Sequence, residues 1–373
     1  MSKLIYLDNA ATTKTAPEVL EAMLPYFTEQ YGNPSAIYSF ASHNKDVVAE
    51  QRERIANALG AKSNEIYFTA GGSESDNWAL KATAEAYQNK GKHIITTKIE
   101  HHAILHTAAY LEERGFEVTY LDVDEYGKVN PADVEAAIRP DTILISVMYA
   151  NNEIGTIQPV TEIGAICREK GVLFHTDAVQ AAGHLHIDVK EQNIDMLSLS
   201  GHKLHAPKGV GALYIRPGLP LPPFIHGGGQ EGNFRSGTEN LPGICGFAAA
   251  CAATDAQQEI ARMTDLRDYC RARAQEIPGL VLIGQQAAPH IVNLSLPGLR
   301  SQGIINCLQT KQIYVSAGSA CSKGHRSHVL EAMRLPPAVI DGSVRISFCG
   351  DNTREDVDRL IDALLEAKTT LKG

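Results

Sequence analysis

The chain of 373 residues is long enough for two or three domains, or for one large α/β unit with an appendage. Hydrophobic residues make up 44% and charged residues 21%, which excludes a disordered or collagen-like chain. With 34 Lys and Arg against 43 Asp and Glu, the net charge of −9 argues against a nucleic-acid partner held by bulk charge.

The N-terminal stretch MSKLIYLDNAATT lacks the apolar region a signal peptide needs. Short β-type runs then alternate with helical ones. Strands are predicted at 65–69, 93–97, 117–122, 142–148, 172–177, 195–200 and 211–216. Helices are predicted at 73–89, 103–114, 131–138 and 160–170, with Pro131 at a helix start and Gly115 and Gly171 just past helix ends. Repeated βαβ units predict a mostly parallel sheet covered on both faces, with ligands beyond the carboxyl ends of its strands. The segment PGLPLPPFIHGGGQEGNFRSGTEN, at 217–240, reads as a long functional loop. A helical stretch at about 243–276 follows, then strands at 280–283, 291–296 and 344–348 and helices at 302–309 and 353–368. These form a second, smaller α+β unit. The uncharged run at 241–254 is too short to span a bilayer. The seven cysteines, at 167, 245, 251, 270, 307, 321 and 349, contain no C-x-x-C pair, so neither a disulfide framework nor a structural metal site is expected. The expectation is a cytoplasmic protein without membrane contact.

Generic signatures are weak. Gly209-Val210-Gly211 lacks the third glycine of a dinucleotide fingerprint, and no Walker-type loop occurs. His226-Gly227-Gly228-Gly229 has no accompanying G-x-S-x-G elbow. Ala103 stands between His102 and His106 where a zincin glutamate belongs, and His184-x-His186 is too common a pair to mean a metal.

Lys203 is more informative. It follows a strand that ends at the expected ligand edge, in Ser198-Leu199-Ser200-Gly201-His202-Lys203. The strand at 172–177 delivers Asp177 to the same edge, with Gln180 three residues later. A lysine that can form a Schiff base and a carboxylate that keeps a pyridine nitrogen protonated are what pyridoxal 5′-phosphate (PLP) requires. Ala70-Gly71-Gly72-Ser73 follows a strand and opens a helix, an arrangement that suits a phosphate; Ser73 could equally be an ordinary N-cap.

Ten ordered segments, among them YLDNAATT (6–13), FTAGGSESDN (68–77), ANNEIG (150–155), HTDAVQ (175–180), SLSGHKLHAPKGVGALY (198–214), HGGGQEGNFRSGTEN (226–240) and VSAGSACS (315–322), resemble the cysteine desulfurases of the NifS/IscS type, a class-V aminotransferase group of fold-type I PLP enzymes. The resemblance implies an α/β fold with a mostly parallel seven-stranded sheet in a large PLP-binding domain, 14–255. A smaller C-terminal α+β domain, 256–373 with 1–13, would carry the catalytic cysteine. It implies PLP held as an aldimine on Lys203, Asp177 on the pyridine nitrogen, Gln180 on the ring hydroxyl and His101 stacked on the ring. Gly72, Ser73, Ser200 and His202 should hold the phosphate, and Thr238 should reach the phosphate of the other subunit of a homodimer. Asn152 should lie near ring and substrate, and Arg345 should clamp the substrate carboxylate.

Cys321, flanked by small residues and by Lys323, His325 and Arg326, is the implied nucleophile on a mobile 319–327 loop; the other six cysteines read mostly as buried apolar groups. The implied reaction converts L-cysteine to L-alanine and leaves a Cys321 persulfide for a sulfur-acceptor protein, a scaffold for iron–sulfur cluster assembly or a tRNA-thiolation enzyme. The alternatives are another class-V enzyme, a selenocysteine lyase or aminotransferase, or a non-catalytic sulfur-carrier or binding subunit. Intact Lys203, Asp177 and Cys321 count against the last.

Overall fold

The computed structural model describes residues 4–253, 256–285, 287–317 and 326–371. The chain opens with strand β1 (Ile5–Tyr6) and helices α1 (Pro17–Met23), α2 (Pro25–Thr28) and α3 (Ser39–Asn57). Strand and helix then alternate through β2 (Ile66–Thr69), α4 (Gly72–Tyr87), β3 (His93–Thr97), α5 (His102–Glu112), β4 (Glu117–Leu121), α6 (Pro131–Ala137), β5 (Thr142–Ser146), α7 (Val160–Lys170) and β6 (Leu173–Asp177). Two strands, β7 (Met196–Ser200) and β8 (Gly211–Ile215), precede the long loop. Beyond it lie α8 (Leu241–Ala253), α9 (Ala256–Ala274), β9 (Val281–Ile283), β10 (Ile291–Ser295), α10 (Ser301–Thr310), β11 (Ile313–Tyr314), α11 (His328–Ala332), α12 (Pro337–Asp341), β12 (Ser343–Ser347) and α13 (Arg354–Thr370).

Seven strands form one sheet in the order β2-β8-β7-β6-β5-β3-β4. Within it, β8 alone runs antiparallel to its neighbours. Strands β3, β5, β6, β7 and β8 are buried at every position, as sheets covered on both faces require. Parallel crossovers bring the carboxyl ends of β3, β5, β6 and β7 to one edge, and β2, antiparallel to β8, ends there too. A second, antiparallel sheet has the order β12-β10-β9, and β1 pairs with β11. Ile5 and Leu7 therefore pack with Leu266, Val292, Phe348 and Leu360, in a core separate from the one containing Phe174 and Leu197.

Most expected elements lie within two residues of their predicted bounds. Pro131 opens α6, and Gly171 ends α7 with φ +69°. Three differences have physical causes. Helix α3 was not expected because its sequence is mostly polar; its buried side is the stripe Ala41, Asn44, Val47, Val48, Gln51 and Ile55. Strands β1 and β11 have two residues each, too few for an alternation to register. The stretch at 243–276 is two helices, α8 and α9.

Candidate active site

The sheet's carboxyl edge bounds a cavity of about 300 Å³ whose lining includes Lys203, Asp177, Gln180, His101, Asn152 and Arg345. Lys203 sits in the 3₁₀ turn directly after β7. Its Nζ donates to the backbone carbonyls of Ala10 at 2.5 Å and Ala11 at 2.7 Å. Asp177 is the last residue of β6, 6% exposed, and accepts a hydrogen bond from the Val179 N–H at 2.9 Å. Burial raises its pKa; His101, the Val179 N–H and Lys203 pull the other way. Lysine and carboxylate thus share one cavity because β6 and β7 are adjacent parallel strands.

Gly72, Ser73, Ser200 and His202 gather at the cavity's open end, where a second, more open depression also takes in Gly71 and Lys208. Helix α4 begins at Gly72, and Gly71 is its N-cap residue with φ +148°, so Ser73 lies inside the first turn and not at the cap. A Cβ on Gly72 would meet Val179 Cγ2 at 2.6 Å, and one on Gly211 would meet the Leu199 carbonyl at 2.5 Å and Gly71 Cα at 2.7 Å. These glycines let the loop lie flat against β7 and leave the amides of a 16-residue helix open to an anion. His202 bonds Thr12 Oγ1 through Nδ1 at 3.2 Å, and burial together with Lys203 and Lys208 brings its pKa down to about 4.

Arg345 lies at the centre of β12 and is 1% exposed. Its guanidinium donates to Asp8 Oδ1 at 2.7 Å and to the Asn152 carbonyl at 2.9 Å, and its buried Nε has no partner among the described residues. Gln180 donates to the Ala10 carbonyl at 2.9 Å, while its Oε1 is 3.1 Å from His290 Nε2. His290 stacks on His184, with 3.8 Å between centroids. Burial and neighbouring cations hold His290 well below its ordinary pKa, so a neutral ring fixes the Gln180 amide. Sequence reasoning did not find His290, which lies 110 residues from Gln180.

His101 caps α5: its Nδ1 accepts from the Ala103 N–H at 3.1 Å, which leaves the ring proton on Nε2. Burial lowers its pKa against the opposing pull of Asp177. Glu100 is fully buried, accepts from Thr97 Oγ1 at 2.7 Å and the Met148 N–H at 3.0 Å, and has its pKa raised by burial to about 8. A third buried carboxyl, Asp76 on α4, lines the cavity and was not singled out from the sequence.

Thr238 is exposed and does not line this cavity in its own chain. Its loop is held at two points, by Arg52 pairing with both Glu231 oxygens and by Arg235 pairing with Glu74 at 2.7 Å. Cys321 lies outside the described residues, with Lys323 and His325. Arg326 is paired with Asp341 at 2.7 and 2.8 Å, so its guanidinium is committed elsewhere. Of the other cysteines, Cys167, Cys245, Cys270 and Cys349 are buried, and Cys251 and Cys307 are half-buried. Burial raises the pKa of Cys167 and Cys349, of Cys245 to about 11, and of Cys251 and Cys270 to about 12.

The profile of the family described as Aminotransferase class-V matches residues 5–360. The chain belongs to the class-V aminotransferase family. This class-V chain is 52% identical to the "Cysteine desulfurase IscS" of Methanosarcina thermophila, over 100% of its own length and 94% of that protein's. Among solved structures it is similar to a "NifS-like protein" (TM-score 0.93, 39% identity, 99% and 100% of the two chains). It is also similar to "SspA in complex with cysteine" (TM-score 0.83, 38% identity, 94% and 100%).

PLP is the cofactor that membership implies. The donor set fits it: an amine, a carboxylate at a strand end, and glycine-cleared amides at a helix start. Arg345 lines the same cavity, and its guanidinium fork suits a carboxylate.

Proposed function

We propose that this protein is a PLP-dependent cysteine desulfurase, which converts L-cysteine to L-alanine and passes the sulfur on through a persulfide at Cys321. The observation that carries this reading is the convergence of Lys203, Asp177 and Arg345 on one cavity.

Lys203 would hold the cofactor covalently through Nζ, Asp177 would face the pyridine nitrogen, and the remaining Gln180 N–H would face the ring hydroxyl. Gly72, Ser73, Ser200 and His202, with Thr238 of the second subunit, would hold the phosphate. PLP, when bound, supplies an electron sink for the carbon that carries the substrate amine. Arg345 and Asn152 would orient the substrate, Arg345 through its carboxylate. The Lys203 amine would then take the Cα proton, and His101, stacked on the ring, would hold a proton on Nε2 that it can give. The Cys321 thiolate would attack the substrate sulfur. A sulfur–sulfur bond forms as the carbon–sulfur bond breaks, the electron pair passes to the carbon skeleton, and protonation releases alanine. A thiol of an acceptor protein, on an iron–sulfur scaffold or a tRNA-thiolation enzyme, would take the outer sulfur.

Two copies should form the working unit. Leu24, Phe27, Tyr31, Ile37, Tyr38 and Phe40 are exposed between α1 and α3, and Ile37 is 99% exposed. A depression lined by Ile37, Arg52 and residues 228–232 joins this apolar surface to the Thr238 loop. Exposed apolar side chains grouped in this way mark an interaction surface. We divide the chain at 14–255 and 256–373, with 1–13 joining the latter, a reading supported by the packing of Ile5 and Leu7 with Leu266 and Leu360. No helix among the described residues is long and apolar enough to cross a membrane. The unpaired cysteines at 167, 245, 251, 270, 307 and 349 suit a reducing compartment, and on that ground we assign the protein to the cytoplasm.

Peptide mass spectrometry after exposure of the PLP-loaded protein to L-cysteine tests the reading. One extra sulfur on Cys321 is the expected result. A persulfide on Cys349 or on another cysteine would displace Cys321 as the nucleophile.

A further inference from the structure

Asp76 belongs to a helix that otherwise serves the anion end of the cavity, yet its carboxyl is turned the other way. It is 1% exposed, and its Oδ1 has no hydrogen-bond partner among the described residues. Side-chain ligand atoms of Asp76, Asp177 and His101 all lie within 4.8 Å of one another. Two carboxylates this close, both out of water, cannot both stay charged without a cation between them.

The charged groups that bear on Asp76 are Asp177 and Glu100, both acidic. His175 Nε2 stands 3.8 Å from Asp76 Oδ1, but burial brings His175 down to about 3 and leaves it neutral. His175 bonds Ser146 through Nδ1 and Ser198 through Nε2, both at 2.9 Å, and Ser198 in turn meets the Asp76 carboxyl. His101, at the start of α5, is held below its ordinary pKa by burial. Glu100, beyond β3, is a further carboxyl whose charge would oppose another. Lys203 acts on Asp177 and His101 and donates to Ala10 and Ala11.

We propose that Asp76 is a positioning residue that keeps its proton at neutral pH and stands beside Asp177 as a neutral hydrogen-bonding group. The negative charge of the pair is thereby confined to Asp177, the residue that faces the pyridine nitrogen. This rests on the reading of the cavity as a PLP site. The same geometry gives α4 two tasks: its first turn receives the phosphate, and one turn later Asp76 sets the state of the ring's acidic partner. A neutral acid here also explains why the polar chain Ser146–His175–Ser198 ends on Asp76 with no compensating charge.

The experiment uses the PLP-loaded protein and two variants, Asp76→Asn and Asp76→Val, with circular dichroism as the check of folding. Asparagine keeps the shape and a donor but cannot ionise. The infrared difference spectrum between native protein and Asp76→Asn should show a protonated-carboxyl band lost in the variant at neutral pH; a carboxylate band lost instead would overturn the proposal. Glu100 is present in both proteins and cancels. Apo-protein should take up PLP with native-like affinity in Asp76→Asn, within about threefold, and about tenfold more weakly in Asp76→Val, which loses the hydrogen-bonding group. The pH at which the visible cofactor band changes should stay in place for Asp76→Asn and shift for Asp76→Val. Native behaviour of folded Asp76→Val in both readouts, or failure of Asp76→Asn to restore them, would contradict the assignment. Failure of the native apo-protein itself to take up PLP would instead overturn the underlying reading of the cavity.

Discussion

Arg345 and Asp8 lie 337 residues apart and meet at 2.7 Å, one at the middle of β12 and the other just after β1. The pair anchors one arm of a buried guanidinium, whose Nε has no partner among the described residues. Replacement of Arg345 by Lys keeps the charge but loses the planar fork. Loss of a charged hydrogen bond is worth about 1.5–3 kcal/mol, so kcat/KM for L-cysteine should fall by roughly 10- to 100-fold, mainly through KM. PLP content, read from the visible spectrum, should not change. An unchanged KM would remove Arg345 from substrate binding.

Lys203→Ala should fold and still bind PLP through the phosphate and Asp177 contacts. It should no longer carry cofactor through denaturation after borohydride treatment, and alanine formation should fall by about 10³-fold or more. Normal turnover in this variant would mean that another amine does the work.

Glu100 offers a pH test of a different kind. Its folded-state pKa of about 8 lies above the ordinary 4.5, so the folded chain holds a proton that the unfolded chain has released. That contribution to stability is present below the lower value and is lost as pH rises through the upper one. Glu100→Gln cannot ionise and should lose less Tm than the native protein across this window, with the gap widening toward pH 8. Parallel Tm profiles would show that Glu100 is charged in the fold.

The exposed apolar surface between α1 and α3 should be covered by a second copy. Ile37→Glu with Phe40→Glu should yield monomers by sedimentation velocity, with activity lost together with dimerisation. Thr238→Ala should leave the dimer intact and weaken PLP binding. Fully active native monomers would separate Thr238 from the phosphate.

Strand and helix alternation was legible because buried parallel strands are continuous apolar runs, as in the strand Thr142–Ser146. Topology alone places Lys203, Asp177 and Gln180 at one edge, because each follows a strand whose direction the βαβ pattern dictates. Asp76 was hidden: in Ser73-Glu74-Ser75-Asp76-Asn77 it looks like one more polar residue of a helix start, and only the packing of α4 against the sheet buries it. His290 and Asp8 were hidden for a related reason, since each meets its partner across more than a hundred residues. Helix α3 lacked the apolar content that marks an amphipathic helix, because Asn44 and Gln51 fill part of its buried stripe.

The central claim is the reaction itself. Simultaneous measurement of alanine and sulfide, released from L-cysteine by the PLP-loaded protein in the presence of a reducing thiol, tests it most directly. The two products are expected in equal amounts, with both lost in Cys321→Ala. Sulfide accompanied by pyruvate in place of alanine, or an amino-group transfer with no sulfide, would contradict it.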